Sequence, residues 1–72
     1  MKSHKYELSI WWSSEDDTFV VEVPELLGCM AHGPTIGEAV ANAQDAIEFW
    51  LEGARETGRP IPVPRGRRPM PA

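Results

Sequence analysis

The stretch GPTIGEAVANAQDAIEFWLEGARETG, residues 33–58, decides the fold. Thr35 stands where a helix N-cap belongs, and Glu38 follows three residues later, the spacing of a capping box. The Thr35 hydroxyl can accept from the backbone N–H of Glu38, and the Glu38 carboxylate can reach back to the N–H of Thr35. Each orphan donor satisfied in this way contributes about 1 kcal/mol. Ala39, Val40, Ala43, Ile47, Trp50, Leu51 and Ala54 then recur at intervals of three and four, one apolar stripe along a helix. Asn42, Gln44, Asp45, Glu48 and Glu52 fall mostly on the other side. The pattern predicts a helix from about Ile36 to Thr57, closed by Gly58 at C′. Such a helix is roughly 33 Å long at 1.5 Å per residue, enough to cover a small sheet.

Upstream, the period changes from 3.6 to 2. Tyr6, Leu8, Ile10 and Trp12 alternate with Lys5, Glu7, Ser9 and Trp11, which predicts a strand with one buried face. Ser13-Ser14-Glu15-Asp16-Asp17 is a polar turn, and Phe19, Val21 and Val23 resume the alternation. The two runs predict an antiparallel hairpin, ended by Pro24, which has no N–H for a ladder. Cys29-Met30-Ala31-His32 predicts a short third strand, stopped at Gly33-Pro34. Downstream of the helix, Arg59-Pro60-Ile61-Pro62-Val63-Pro64 reads as a short C-terminal edge strand, its prolines confining it to an edge. The expected class is α+β: a three-stranded antiparallel sheet, one long helix on one face and the edge strand, in the order β-β-β-α-β. Residues 1–64 form the domain; residues 65–72, with three arginines and little to bury, are expected as a mobile tail.

With 72 residues, the chain holds a domain that buries only about 60% of its unfolded surface. Small domains usually need disulfides, a metal or association. Cys29 is the single cysteine, so no internal disulfide forms, and His and Cys are too few for a structural zinc site. Association remains, and a homodimer or homotetramer is expected. No apolar run is long enough to span a bilayer, and no signal core follows Met1. A lone cysteine fits a reducing cytoplasm. The net charge of −4 is unevenly spread. Residues 1–54 carry ten acids against Lys2 and Lys5, a balance of −8; residues 55–72 carry five arginines against Glu56, a balance of +4. An acidic body repels nucleic acid and attracts basic partners.

The residues that could carry chemistry are few. Glu15, Asp16 and Asp17 could bind a metal, but three in a row cannot all point inward, and a solvated turn accounts for them. His4 and His32 have no paired nucleophile in the sequence. Cys29 has no cationic cluster to activate it and reads as a small buried strand residue. Trp11 and Trp12 are more informative, because adjacent strand residues face opposite ways. By parity Trp12 joins Tyr6, Leu8 and Ile10 beneath the helix, which leaves Trp11 on the open face with Val20 and Met30. An exposed aromatic among apolar neighbours suggests a contact surface. The expected partner-binding residues are Trp11, Val20 and Met30, with the carboxylates Glu22, Glu25, Glu48 and Glu52. A divergent metal-dependent nuclease using Asp16, Asp17 and Glu25 is the catalytic alternative, disfavoured because these carboxylates do not converge. No catalytic residue, metal or cofactor is expected.

Asp16-Asp17-Thr18-Phe19-Val20-Val21, then Val23-Pro24-Glu25-Leu26-Leu27-Gly28-Cys29, Ala31-His32-Gly33-Pro34-Thr35, Glu38-Ala39, Asn42-Ala43 and Ile47-Glu48-Phe49-Trp50-Leu51 together resemble the HicB-like antitoxin family. The resemblance covers about residues 5–64, including the closing Gly58-Arg59-Pro60-Ile61-Pro62-Val63-Pro64. It implies a partial ribonuclease-H-like fold without enzymatic activity. It also implies a partner, a small basic HicA-type toxin that cleaves mRNA and is neutralised by occlusion. A first-strand carboxylate of the kind a true ribonuclease H needs is missing from Leu8-Ser9-Ile10. Many family members continue into a DNA-binding domain; this chain stops at Ala72 without one, so direct DNA binding is not expected.

Overall fold

The computed structural model describes residues 4–64. The tail expected over residues 65–72 lies outside the described residues. Three strands, β1 (Ser9–Ser13), β2 (Thr18–Glu22) and β3 (Met30–Gly33), form an antiparallel sheet in the order β1-β2-β3, and one helix, α1 (Ile36–Thr57), follows. The helix begins as its sequence dictates: Thr35 is extended, and its hydroxyl accepts from the Glu38 N–H at 3.1 Å. It ends at Gly58, whose φ of 72° lies in the left-handed region and whose N–H donates to the Ala54 carbonyl.

The register sorts the sheet into two faces. Ile10, Val21 and Ala31 form one cross-strand row and Trp12, Phe19 and Gly33 the next, all on the face that meets α1. Val21 is fully buried there against Ala39 and Ala43. The approach is closest at Gly33, where a Cβ would stand 2.6 Å from the backbone nitrogen of Ala39. No other residue type fits without displacing the helix. Two side chains pin the same corner: Asn42 Nδ2 donates to the His32 carbonyl at 2.8 Å, and Thr18 Oγ1 to the Gly33 carbonyl at 2.9 Å. A second cluster of larger residues fills the far end of the helix: Tyr6, Val23, Leu26, Cys29, Ile47 and Leu51.

Four expectations need correction. The helix packs on β3 and β2, so β1 lies beyond its edge. Trp12 is on the helix face but not beneath the helix; it is 48% exposed, with Ile10 at 37%. Its ring meets Phe19 edge-on instead, with centroids 4.9 Å apart. Second, β1 starts at Ser9 rather than Lys5, because Ser9 pairs with Glu22, the last residue of β2. Beyond Glu22 the chain leaves the ladder: the Val23 N–H donates to the Cys29 carbonyl, closing the loop around Pro24. Tyr6 and Leu8 contribute to the core from outside the strand. Third, β3 runs Met30–Gly33, one residue later than expected, since the Cys29 N–H is used by the Leu26 carbonyl in that loop. Fourth, residues 59–64 form no strand. Pro60, Pro62 and Pro64 remove every second donor, and the Tyr6 hydroxyl donates to the Pro62 carbonyl in place of a ladder.

Candidate protein-interaction surface

The face of the sheet turned away from α1 is built by alternation alone. Trp11 lies opposite Val20, and Val20 opposite His32; Ser9 lies opposite Glu22, and Glu22 opposite Met30. Four of the residues singled out in the sequence, Trp11, Val20, Glu22 and Met30, therefore share one surface. Trp11 is 42% and Met30 50% exposed, and Glu22 is exposed beside them. A shallow hollow continues this face from Val20 and Met30 to His32, Pro34 and the Asp16–Asp17 turn. The surface is apolar at its centre and bordered by carboxylates.

The other three residues lie elsewhere. Glu25 is in the loop after β2, and its carboxylate accepts from the Glu7 N–H at 3.3 Å. Glu48 is on α1, 2.7 Å from His4 Nε2, in a corner where the His4 N–H also donates to Gln44 Oε1. Glu52 is exposed on the same helix. Because α1 covers the opposite face, the two helix carboxylates do not border the Trp11 surface.

Chemistry is sparse. Among the described residues, no group of three His, Cys, Asp or Glu could hold a metal ion. Asp16 serves the hairpin turn: its N–H and carboxylate both bond the Ser13 hydroxyl, and Asp17 takes a left-handed φ of 55°. Such geometry suits Asp in a turn. Cys29 is buried, and burial pushes its thiol pKa up, away from a reactive thiolate. The Tyr6 hydroxyl is also pushed up, first by burial and second by the charge of Glu25. Among the described residues, no helix is long and apolar enough to cross a membrane.

A second apolar cluster escaped the sequence reading. Phe49 is 79% and Leu27 90% exposed, near Trp50, whose Nε1 donates to the Leu27 carbonyl at 2.9 Å. The available signal was Phe49 itself, a large apolar residue outside the helix stripe.

Comparison with known proteins gives one family. A family model described as the HicB-like antitoxin of bacterial toxin-antitoxin systems matches residues 6–67. An uncharacterised 14.9 kDa protein from the rep-hol intergenic region of Haemophilus phage HP1 is 43% identical over 47 residues, covering 65% of this chain and 35% of the phage protein. A UPF0150 protein of Thermoplasma acidophilum is 40% identical over 48 residues, 67% of this chain and 70% of that protein. A UPF0150 protein of Synechocystis is 36% identical over 44 residues, 61% and 60% of the two chains. The chain thus spans about a third of the phage relative's length. No solved structure matches.

Proposed function

Because this chain belongs to the HicB-like antitoxin family, whose members are non-catalytic partner proteins, we propose that it binds and occludes a small basic HicA-type toxin that cleaves mRNA. The observation that carries this reading is the uncovered sheet face, where Trp11, Val20 and Met30 form an apolar centre beside Glu22. An aromatic anchor inside a polar border is the anatomy of a binding hot spot. The excess of acids over residues 1–54 supplies the complementary field. A surface made to hold phosphate also attracts carboxylates, and such complementarity speeds encounter. Glu25, Glu48 and Glu52 take part through that field and not as members of the central surface. The β-β-β-α order supports the partial ribonuclease-H-like fold that this reading implies.

The experiment is co-expression of the tagged chain with the HicA-type protein encoded beside it. A stable complex, mRNA protected from cleavage and growth restored are expected. Trp11→Glu should weaken the complex about 30-fold or more, the size of a hot-spot loss near 2 kcal/mol. Glu48→Gln, on the other side of the molecule, should change affinity only slightly. No complex, or a Trp11→Glu variant that binds as tightly as wild type, would refute the assignment.

A further inference from the structure

We propose that the outer edge of β3 receives an extended strand from a basic protein, one in which basic residues alternate with large apolar ones. The docking mode is read from the edge itself; only the partner's identity as the toxin rests on the preceding proposal. Hydrogen-bonded and non-bonded pairs alternate along an antiparallel ladder. The Val23 N–H donates to the Cys29 carbonyl, which makes Val21–Ala31 and Phe19–Gly33 the bonded pairs of β2 and β3. The backbone groups of Met30 and His32 therefore point away from β2, and no described strand pairs with that edge. The His32 carbonyl there accepts from Asn42 Nδ2; the His32 N–H and both backbone groups of Met30 are directed outward. The other edge of the sheet differs, because residues 59–64 are held beside the start of β1 by the hydrogen bond from the Tyr6 hydroxyl to the Pro62 carbonyl.

Two hollows flank the β3 edge, and Met30 borders both. The one on the open face runs to His32, Pro34 and the exposed residues Asp16 and Asp17. The one on the helix side, about 410 Å³, lies between Cys29–Met30 and Ala46, Phe49, Trp50 and Gly53 of α1. Gly53 keeps it wide, since a Cβ there would meet nothing within 4 Å. A strand laid along β3 sends alternate side chains to opposite faces, so one set enters the acidic hollow and the other the apolar one. In strand addition the main-chain bonds supply affinity, and pockets for alternate side chains supply specificity. The sequence that matches is basic on one face and apolar on the other. Two nearer occupants fit less well. A second copy brings the same balance of −8 over residues 1–54 against these carboxylates. The chain's own residues 65–72 contain one large apolar residue, Met70, set between Pro69 and Pro71, and proline has no N–H to give the edge. Val20 and Met30 continue from this edge to Trp11, so a toxin docked by one strand lies over the surface described above.

A synthetic peptide alternating arginine with valine and leucine, titrated into the full chain and followed by NMR, tests the mode without the toxin. At saturation the Met30 and His32 N–H groups should exchange with solvent about tenfold more slowly or better. N-methylation of the peptide supplies the decisive control. A methyl on the arginine nitrogens or on those of the apolar residues faces β3 in one of the two series, never both. One series should lose about tenfold or more in affinity and the other keep it within about twofold; both lost or both retained would overturn strand addition. Gly53→Lys fills the helix-side hollow from a position with room for it, and Asp17→Asn removes a charge while keeping a residue type suited to the left-handed φ. The first should weaken the peptide about tenfold and the second about threefold, whereas Glu48→Gln, beside His4, should leave it unchanged. A peptide that does not bind, or binding indifferent to both variants, would overturn the proposal. So would protection of Met30 and His32 that grows with chain concentration alone, which would assign the edge to a second copy. No toxin complex beside a bound peptide would refute the preceding reading and not this one; a toxin complex that leaves Met30 and His32 unprotected would refute this one alone.

Discussion

Replacing Gly33 by alanine adds one methyl group at the tightest point of the molecule. That methyl would lie 2.6 Å from the Ala39 nitrogen, 2.9 Å from the Ala39 Cα and 3.0 Å from the Glu38 carbonyl carbon. All three are backbone atoms of the first helical turns, so no side chain can rotate away; the helix or β3 must move by several tenths of an ångström. Overpacking of this kind costs about 1–3 kcal/mol. A domain of this length has only about 4–11 kcal/mol of stability in total, and each kilocalorie shifts Tm by roughly 4–8 °C. Gly33→Ala should therefore lower Tm by about 5–20 °C. Gly53→Ala is the matched control: Gly53 lies in α1 with nothing within 4 Å of its added Cβ, and an exposed helix glycine replaced by alanine gains about 0.5–1 kcal/mol. Urea titration followed by circular dichroism, at one fixed protein concentration because association shifts apparent stability, measures both. If Gly33→Ala matches wild type within about 0.3 kcal/mol while Gly53→Ala stabilises, the close helix–sheet contact is refuted.

Thr35→Ala removes the acceptor for the Glu38 N–H and should cost about 1 kcal/mol in the same titration; no loss would deny the cap a role. The raised Tyr6 pKa gives a pH dependence with a definite sign. The folded state holds the phenolic proton more tightly than the unfolded chain, so this stabilisation is complete below the ordinary value of 10.0 and fades as pH climbs through the folded value. Tyr6→Phe should flatten that alkaline decline in a pH series of thermal melts, and an unchanged decline would remove Tyr6 as its cause. Cys29 should react with a thiol reagent far more slowly in the native protein than in urea, given its burial and raised pKa; equal rates would place it at the surface.

The helix was legible to its last residue because capping is local chemistry. Thr35, Glu38 and Gly58 act within one turn of the chain and need no information from the sheet. The faces of β1 and β2 were legible for a similar reason: alternation fixes which way Trp11 and Val20 point. How far the helix reaches across the sheet is different. Trp12 has the parity of a core residue, yet its burial depends on where the axis of α1 lies, and that is set by the contact of Gly33 with Ala39, 21 and 27 residues further along the chain. The edge strand over residues 59–64 failed because apolar alternation in Ile61 and Val63 was weighed above the loss of donors at the intervening prolines. The candidate site divided along the same line. Trp11, Val20, Glu22 and Met30 share a strand-defined face, whereas Glu25 and Glu48 were grouped with them by charge, a property that carries no direction.

The space between α1 and the sheet is a wedge. At the thin end are Val21, Ala39 and Ala43 against Gly33; at the thick end are Leu26, Ile47 and Leu51 with Tyr6. Sliding the helix forward by a turn would drive isoleucine into the place of alanine at one end and open a void at the other, so both directions of slip are resisted. Among the described residues the single helix thereby holds one alignment through a gradient of side-chain size, with no buried charged side chain to fix it.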